Sequence, residues 1–301
     1  MVTRNGTVTV PSLCSSQEEA DMRIILHASD IAVNHKTLIV WSPDTDVAVL
    51  LIYFIRQLVI SLWLKTGTKD AVRFIPVHSV SEKMGSIMCE ILPALHSLTG
   101  CDTTSAFFGI GKVKPFLIVK ENVDKFLQLR NFGQNAMLPP EVISQAKLLT
   151  AKIYHSVVEN DNINYLRYYL FCKKLAKSKN LPPTEDSLLL HIQGANFQCL
   201  IRKEALNPRH DAFSPLGHGL ILQDEAIVPV LMSKEPVPAS LLEVTTCSCK
   251  ASKCQGRCSC SSQGLACTLV CSSEGEDNCM NPNRTSPTPE NDSESENSED
   301  D

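Results

Sequence analysis

The sequence predicts an α/β layered domain followed by a helical extension, a small cysteine-rich module and an acidic tail. Three observations support this prediction. Helix-like and strand-like apolar patterns alternate over short connections in residues 17–98. The apolar pattern of residues 122–206 is helical, with breaks at proline and asparagine. Eight of the thirteen cysteines fall within residues 247–279, a stretch with little apolar material.

The elements of the layered domain follow from periodicity and capping residues. Ser16 is placed to cap a helix over residues 17–32, which has acids in its first turn. TLIVW (residues 37–41) is predicted to be a strand buried on both faces, as parallel strands are. The remaining elements are strands at residues 60–64 and 73–80, and a helix at 81–98 that Pro93 kinks or splits.

Composition narrows the class of protein. The formal net charge is −5, but seven acids lie in the last twelve residues, so the rest of the chain is slightly basic. A slightly basic body is compatible with a nucleic acid as its binding partner. The first sixteen residues lack a signal-peptide type of apolar segment, and the scattered cysteines are typical of reduced, intracellular thiols. We expect the apolar run of residues 47–64 to be a buried helix leading into a strand, since Arg56 lies near its centre.

Composition shifts also predict the domain boundaries. The tail has no aliphatic or aromatic side chain and should be disordered. The predicted segments are an N-terminal remnant at 1–16, the α/β core at 17–120, the helical extension at 121–210, a linker or irregular segment at 211–245, the cysteine-rich module at 246–281 and the tail at 282–301.

Acidic residues gather around the first long strand. Asp44 and Asp46 directly follow TLIVW, at the edge of an open α/β sheet where ligands bind. Two aspartates at i and i+2 in one turn repel each other, and a divalent cation can supply the missing counter-charge. Oxygen ligands suit Mg²⁺ or Mn²⁺, and pairs of such ions hydrolyse phosphodiesters. The alternative is that Asp44 and Asp46 are merely a helix cap and a first-turn acid.

Three segments in order, EEADMRIILHA, SPDTDVAVLL and LTGCDTTSAFFGIGK, resemble the core of the flap-endonuclease-like branch of the PIN nuclease superfamily. The resemblance covers residues 17–115 and implies a PIN-like three-layer α/β core. Helix geometry leaves two alternatives, because residues i and i+2 do not share a face: either Glu19 precedes the first regular turn, or Glu18 takes its place. The acids that the resemblance implies to be catalytic and to bind Mg²⁺ or Mn²⁺ are Glu19, Asp21, Asp44, Asp46 and Asp102.

The sequence departs from that family at its start. The family's domain begins with a strand that bears a further metal-binding aspartate, followed by a segment that guides the DNA strand. Residues 1–16 (MVTRNGTVTVPSLCSS) contain no acid. We therefore expect the core to be incomplete at its N-terminus and its catalysis to be impaired.

The stretch GIGK (residues 109–112) is a glycine-rich loop that ends in lysine. It is not a P-loop, because Ala106 stands where a glycine is needed and Val113 where Ser or Thr is needed. In a turn between two helices, Gly109 and Gly111 would let backbone N–H groups approach a phosphate, and Lys112 would add charge. In the related nucleases this loop grips the duplex backbone without reading sequence. The alternative is a helix-joining turn without a ligand.

The cysteine-rich module needs metal or disulfides to organise it, because it cannot form an apolar core. The intracellular context favours Zn²⁺, whose binding energy would fold the module, and C-x-C spacing lets one thiolate bridge two ions. Disulfide bonds are the alternative. The pattern C-x-C-x₄-C-x₃-C-x-C-x₆-C-x₃-C-x₇-C comprises Cys247, Cys249, Cys254, Cys258, Cys260, Cys267, Cys271 and Cys279.

This pattern resembles half of a tesmin/TSO1-type CXC domain, in which cysteines hold a compact zinc cluster and the module contacts DNA. The family usually has a ninth cysteine where this chain has Ser273, so we expect one metal site to be weakened. The basic residues of this region are Lys250, Lys253 and Arg257, without the aromatic residue usual there. The resemblance implies structural Zn²⁺ and contact with the DNA backbone.

A nuclease-like core joined to a CXC module implies a nuclear, DNA-associated protein of transposon origin. The predicted function is DNA association through a core that has lost catalysis with its first strand. Two alternatives stay open. One is an active Mg²⁺-dependent, structure-specific nuclease, and the other is a protein-interaction scaffold in which zinc is only structural.

Overall fold

The computed structural model describes residues 2–3, 6–7, 9–68, 71–173, 180–209, 214–234, 246–250, 254–255, 258–268, 271–273 and 279–283. The fold is mixed α/β, as the sequence predicts, and about 49% helical. The chain divides into two compact units, Met1–Arg167 with Ser178–Lys234, and Tyr168–Lys177 with Glu235–Asp301. The predicted disordered tail lies outside the described residues from position 284 onward.

The main sheet of the first unit has three strands. Two short strands near the N-terminus, β1 (Val2–Thr3) and β2 (Gly6–Thr7), are not part of this sheet and pair with each other. The main sheet has the order β3 (Thr37–Trp41), β4 (Ser61–Thr66) and β5 (Arg73–Pro76). β3 and β4 are parallel, and β5 is antiparallel to β4. The strands predicted at residues 37–41 and 60–64 are therefore confirmed, whereas the one predicted at 73–80 ends at Pro76 because Val77 begins a helix.

Helices pack on one face of this sheet. The helices α1 (Ala20–Ala32), α2 (Thr45–Leu58) and α3 (Val77–Met84) share one apolar core with Val40, Leu62 and Leu64 of the sheet. α2 connects β3 to β4, because parallel neighbouring strands need a crossover of this length. The core side chains of α2 recur at helical spacing, which buries this face of the helix.

The opposite face of the sheet carries exposed aromatic and aliphatic side chains. Ile39, Trp41 and Phe74 are 56%, 74% and 51% exposed. The ammonium of Lys65 lies 4.3 Å from the centre of the Trp41 ring. The prediction that TLIVW is buried on both faces is therefore wrong. In the part of the chain that the structure describes, helices pack only on the other side, so the strand alternates between buried and exposed residues.

The start of α1 differs from the prediction. The helix begins at Ala20, three residues later than predicted, and Ser16 does not cap it. The backbone N–H of Ser16 instead donates to the carbonyl of Pro208 at 2.9 Å. The Gln17 side chain donates to the carbonyl of Ala205 at 2.9 Å. These bonds hold residues 16 and 17 against the segment that follows the last long helix.

The apolar run of residues 47–64 forms a helix and a strand, as predicted. α2 ends at Leu58, and Val59 takes a left-handed conformation with a φ of 49° before β4 begins. Arg56 lies exposed on the last turn of α2. Among the described residues, no helix is both long and apolar enough to cross a membrane.

The predicted helix of residues 81–98 is two helices. α3 ends at Met84 and α4 (Ser86–Leu98) begins after Gly85, whose φ of 83° cannot continue a right-handed helix. Pro93, where we predicted the break, lies buried inside α4. α4 packs against α2 and against the helices of the extension.

The extension is helical, as predicted, and apart from Tyr168–Lys177 it belongs to the same compact unit as the sheet. α5 (Val113–Glu121) lies at the end of the predicted core, and the 3₁₀ segment Val123–Asn131 follows it. The α-helices of the extension are α6 (Pro140–Tyr154), α7 (Ile163–Cys172) and α8 (Glu185–Lys203).

The segment predicted to be irregular contains a hairpin. Strands β6 (Leu220–Gln223) and β7 (Ala226–Pro229) pair antiparallel. The two residues between them, Asp224 and Glu225, have positive φ values of 47° and 65°, as in the two-residue turns that match strand twist. The sequence has Asp-Glu here rather than Asn-Gly, so the hairpin lacks the usual turn signal.

Candidate functional site

Asp44 and Asp46 lie at the start of α2. Asp44 is the N-cap residue, and its carboxylate accepts a hydrogen bond from the Asp46 backbone N–H at 2.9 Å. The hydroxyl of Ser42 accepts a hydrogen bond from the Asp44 N–H at 3.1 Å. Asp44 thus caps the helix, as one of the two interpretations predicted. The cap turns the chain sharply after β3 and places Asp46 on the buried side of the first turn.

Asp21 lies in the first turn of α1 and interacts with the acid pair. Burial, together with the negative charges of Asp44, Asp46 and Glu19, raises the pKa of Asp21 to about 6. The positive charge of Arg202 acts to lower the pKa of Asp21. Asp21 is therefore close enough to three of the other predicted acids for their charges to act on it.

Glu19 is the N-cap residue of α1, so it precedes the first regular turn, as the first of our two alternatives predicted. Its carboxylate accepts a hydrogen bond from Gln198 Nε2 at 3.2 Å. Glu18 is exposed. Asp102 is exposed in the turn after α4, and the described contacts do not connect it with the other four acids. The prediction that Asp102 joins them in one site therefore lacks structural support.

Two basic side chains hold the carboxylate of Asp46 inside the protein. Nε2 of His96 on α4 lies 2.6 Å from one Asp46 oxygen, and Arg202 on α8 forms an ion pair with the other. All three side chains are at most 7% exposed. Burial acts to raise the pKa of Asp46, but the hydrogen bond to His96 and the charge of Arg202 outweigh it, so the pKa is lowered. Asp46 is a buried carboxylate whose counter-charge comes from the protein itself.

Sequence reasoning missed Arg202 and His96. Arg202 continues the buried stripe of α8, and a charge on such a stripe needs an acidic partner, which is the signal that could have revealed it. Two of its guanidinium nitrogens, Nε and Nη1, are buried without a hydrogen-bond partner among the described residues. The stripe consists of Leu188, Ile192, Ala195, Cys199 and Arg202.

The side chain of Lys112 turns back towards the end of α4. Its ammonium donates to the carbonyl oxygen of His96 at 3.2 Å and to that of Gly100. The last carbonyls of a helix have no partner within the helix, so a cation there is stabilising. Burial lowers the pKa of Lys112, and the neighbouring Cys101 and Asp46 oppose that shift. Lys112 therefore has a structural role that the sequence did not predict.

The glycines of the GIGK loop are exposed and have free space around them. Gly109 has a φ of 70°, which accounts for a glycine there. Gly111 has no positive φ, and a methyl group built on it would meet no atom within 4 Å. The described structure therefore gives no steric reason for a glycine at position 111. α5 begins two residues later, at Val113.

The acids do not form a preformed site for Mg²⁺ or Mn²⁺. Within the described ranges, the groups of three or more potential ligand atoms that lie within 4.8 Å of one another contain only cysteines. Both oxygens of Asp46 contact basic side chains, and Asp44 caps its helix. A divalent cation that shared Asp46 with Asp21 would compete with Arg202. These residues therefore do not fit the predicted metal centre as they stand.

The cysteine-rich module brings its thiols to metal-binding distance. None of the thirteen cysteines, all of which lie in described residues, forms a disulfide. Sulfur–sulfur distances are 4.0 Å for Cys247–Cys254, 3.8 Å for Cys247–Cys267 and 3.8 Å for Cys258–Cys267. Four thiolates around a tetrahedral zinc ion lie about 3.8 Å apart, given Zn–S bonds of about 2.3 Å. The spacing of the thiols fits Zn²⁺.

The thiols fall into three groups with shared members. Each group has all of its sulfur atoms within 4.8 Å of one another. Sharing is what C-x-C spacing predicted, since one thiolate can bridge two ions. The first group is Cys247, Cys258, Cys260 and Cys267; the second is Cys247, Cys249, Cys254 and Cys258; the third is Cys254, Cys267 and Cys279.

Neighbouring groups shift the pKa values of these thiols in both directions. Several hydrogen bonds, the largest contribution coming from the backbone N–H of Ser261, lower the pKa of Cys258 to about 7. Asn281 Nδ2 donates to the sulfur of Cys267 at 3.1 Å. Burial, followed by hydrogen bonding to neighbouring thiols and their charge, raises the pKa of Cys260. Thiols this close cannot all ionise unless a cation neutralises them, and Zn²⁺ does this. Of the predicted basic residues, Lys253 and Arg257 lie outside the described residues.

Comparisons with protein-family models, with curated proteins and with solved structures find no match for this chain. The resemblance to the nuclease core and to the CXC domain therefore depends on the residues quoted above.

Proposed function

We propose that this protein is a DNA-associated scaffold with a nuclease-like core, which binds the nucleic-acid backbone without cutting it. The observation that supports this most directly is the buried ion pair of Asp46 with Arg202, completed by His96. In a metal-dependent nuclease, divalent cations neutralise the clustered acids and act on the reacting phosphate. Here Arg202 supplies the positive charge to one oxygen of Asp46, and His96 contacts the other oxygen.

The arrangement also makes displacement of Arg202 by a metal ion unfavourable. Without its carboxylate, Arg202 would have a further guanidinium nitrogen without a hydrogen-bond partner, beside the two that already lack one among the described residues. Removing one partner from a buried ion pair costs about 3–5 kcal/mol. A cation would need to offset this cost before it shared Asp46 with Asp21.

The GIGK loop is the proposed contact with the DNA backbone. Gly109 and Gly111 leave open space beside an exposed backbone, and α5 begins at the following turn with Lys114 exposed. Backbone N–H groups at a helix start bind phosphate oxygens without reading the base sequence. The zinc module, by its resemblance to a CXC domain, is the second proposed DNA contact. Zn²⁺ there has a structural role.

The experiment uses the full chain with labelled flap, branched and single-stranded DNA, with Mg²⁺ or Mn²⁺. We expect binding that weakens with salt, and no cleavage. Gly111→Glu places a negative charge at the proposed phosphate contact, where the fold has room for the side chain. It should weaken binding and reduce the salt slope by about 1. Asn34→Glu, at an exposed turn of the same unit, is the matched control and should leave the slope unchanged.

Three outcomes would contradict the proposal. Cleavage that Asp44→Ala with Asp46→Ala abolishes would show that the active-nuclease alternative is right. Absence of DNA binding by the zinc-loaded chain would favour the protein-interaction scaffold. Equal losses in Gly111→Glu and Asn34→Glu would remove the loop from the DNA interface.

A further inference from the structure

The three thiol groups differ in the number of ligands they offer. The first two groups contain four cysteines each, which satisfies tetrahedral zinc. The third group contains three cysteines: Cys254, Cys267 and Cys279. The sequence predicts one weakened metal site, and the geometry identifies this group as the incomplete one.

Ser273 lies beside the incomplete group. Its hydroxyl is 3.8 Å from the sulfur of Cys279 and 3.7 Å from that of Cys247, distances similar to those between neighbouring thiols in the module. Ser273 is only 5% exposed, so its hydroxyl is directed into the cluster rather than into solvent. A neutral hydroxyl is a much poorer zinc ligand than a thiolate, because Zn²⁺ in such sites is bound by deprotonated sulfur.

The third group shares Cys254 and Cys267 with the other two groups. Cys254 also belongs to the second group, and Cys267 to the first. A sulfur that bridges two ions donates less charge to each of them. Each group has one thiol that belongs to it alone: Cys260 in the first, Cys249 in the second and Cys279 in the third. The third group therefore differs from the others not in sharing but in having a neutral oxygen where they have a fourth thiolate.

We propose that the zinc ion held by Cys254, Cys267 and Cys279 is exchangeable, with the Ser273 hydroxyl as its neutral fourth ligand. The ions of the first two groups are held by four thiolates each and are retained. The module then responds to the supply of zinc through one site while the other two maintain its fold. This inference requires zinc in the module and does not require DNA binding by the chain.

Zinc competition tests the proposal. The zinc-loaded full chain is mixed with a chromophoric zinc chelator, and zinc release is followed in time together with total zinc by elemental analysis. We expect three equivalents per chain, of which one is released in a fast phase and two in a much slower phase. Ser273→Cys completes the third group with a thiolate, so the fast phase should disappear while the total stays at three.

Ser272→Cys is the matched control, because it adds a cysteine one residue away at an exposed position. It should keep the fast phase. Replacing zinc with Co²⁺ gives a second measurement, since ligand-field bands distinguish three sulfurs and one oxygen from four sulfurs. The band of the mixed site should be lost in Ser273→Cys only.

Two equivalents in the wild-type chain, or three that leave in one phase, would overturn the proposal. So would a fast phase that persists in Ser273→Cys. Because the substitution adds a ligand, loss of folding is not expected to obscure the result. Failure of DNA binding, tested separately, would leave this outcome unaffected.

Discussion

Arg202, in the last turn of α8, forms a buried ion pair with Asp46, in the first turn of α2, although 156 residues separate them in the sequence. His96 of α4 contacts the same carboxylate at 2.6 Å. This pair joins the α/β core to the helical extension. The two segments that the sequence separates at residue 120 therefore share a buried ion pair, and apart from Tyr168–Lys177 they belong to one compact unit.

Replacing Arg202 with methionine should destabilise the first unit strongly. Arg202→Met leaves the Asp46 carboxylate buried without its main counter-charge, and we expect the free energy of unfolding to fall by about 3–5 kcal/mol. Urea denaturation followed by tryptophan fluorescence measures this change. Asp46→Asn combined with Arg202→Met removes both charges and should recover part of the loss.

Arg56→Met is the control for this prediction, because Arg56 is exposed on α2. It should change the free energy of unfolding by no more than about 0.5 kcal/mol. A similar small effect of both substitutions would mean that the ion pair contributes little to stability. A double variant less stable than Arg202→Met would argue against direct coupling.

Asp21 predicts a pH dependence of stability. Its folded pKa of about 6 lies above the ordinary value of 3.8, so the folded state binds a proton in the window between these values that the unfolded state has lost. Its contribution to stability is therefore present at low pH and is lost as the pH rises towards 6. Asp21→Asn should stabilise the protein at pH 7 by about 1 kcal/mol, after allowance for solvent screening. Urea denaturation of both proteins at pH 4 to 7 measures this difference in the free energy of unfolding.

The control for Asp21→Asn is Glu18→Gln, which neutralises an exposed acid three residues earlier. We expect the wild type and Glu18→Gln to share the same pH profile. Addition of Mg²⁺ at pH 7 gives a further check. Strong stabilisation of the wild type, absent in Asp21→Asn, would show that the acids bind a divalent cation after all.

Gly133→Ala should disrupt the contact between the loop before α6 and the backbone of α8. Gly133 has a φ of 72°, and an added methyl would lie 2.6 Å from the backbone carbonyl carbon of Cys199. We expect a loss in the free energy of unfolding well above 1 kcal/mol, because both the conformation and the space are incompatible with a side chain. Gly111→Ala, at a position with free space and no positive φ, should be nearly neutral in the same denaturation assay.

Removing zinc should unfold the cysteine-rich module and leave the first unit folded. Zinc binding supplies the folding energy of modules of this kind. After EDTA treatment, the eight module thiols should react with a thiol reagent. Cys89 and Cys199, which are 1% and 0% exposed in the first unit, should stay unreactive. Burial also raises the pKa of Cys199 to about 11. EDTA saturated with zinc is the control, and simultaneous reaction of Cys199 would show that the units unfold together.

Local patterns predicted much of the fold. The helix and strand of residues 47–64 were recognisable from apolar periodicity and from the cap at Asp44. The metal-binding spacing of the thiols followed from C-x-C steps. These features depend on residues close together in the sequence, where backbone geometry alone limits the possibilities. The break at Gly85 was missed because Pro93 is the stronger signal, although a buried turn of α4 accommodates it.

Long-range contacts could not be predicted in the same way. The role of Asp46 is set by its contacts with Arg202 and His96. The sequence around Asp46 alone does not distinguish a metal ligand from an ion-pair partner. The exposed face of β3 could not be predicted for the same reason. The sequence TLIVW is compatible with burial on one face or on both, and the layers packed against the sheet decide between them. The hairpin at Asp224 and Glu225 lacks the glycine that usually marks such a turn.

The ion pair between Asp46 and Arg202 has a consequence for synthesis on the ribosome. α2 leaves the exit tunnel long before α8 has been translated, so the nascent core exists for a time with a carboxylate that has no guanidinium to meet it. The sheet can pack against α1 to α4, but the core is completed only after the last turn of α8 has been translated. Chains that stop before Arg202 therefore expose an unfinished interior, and cellular quality control should remove them rapidly.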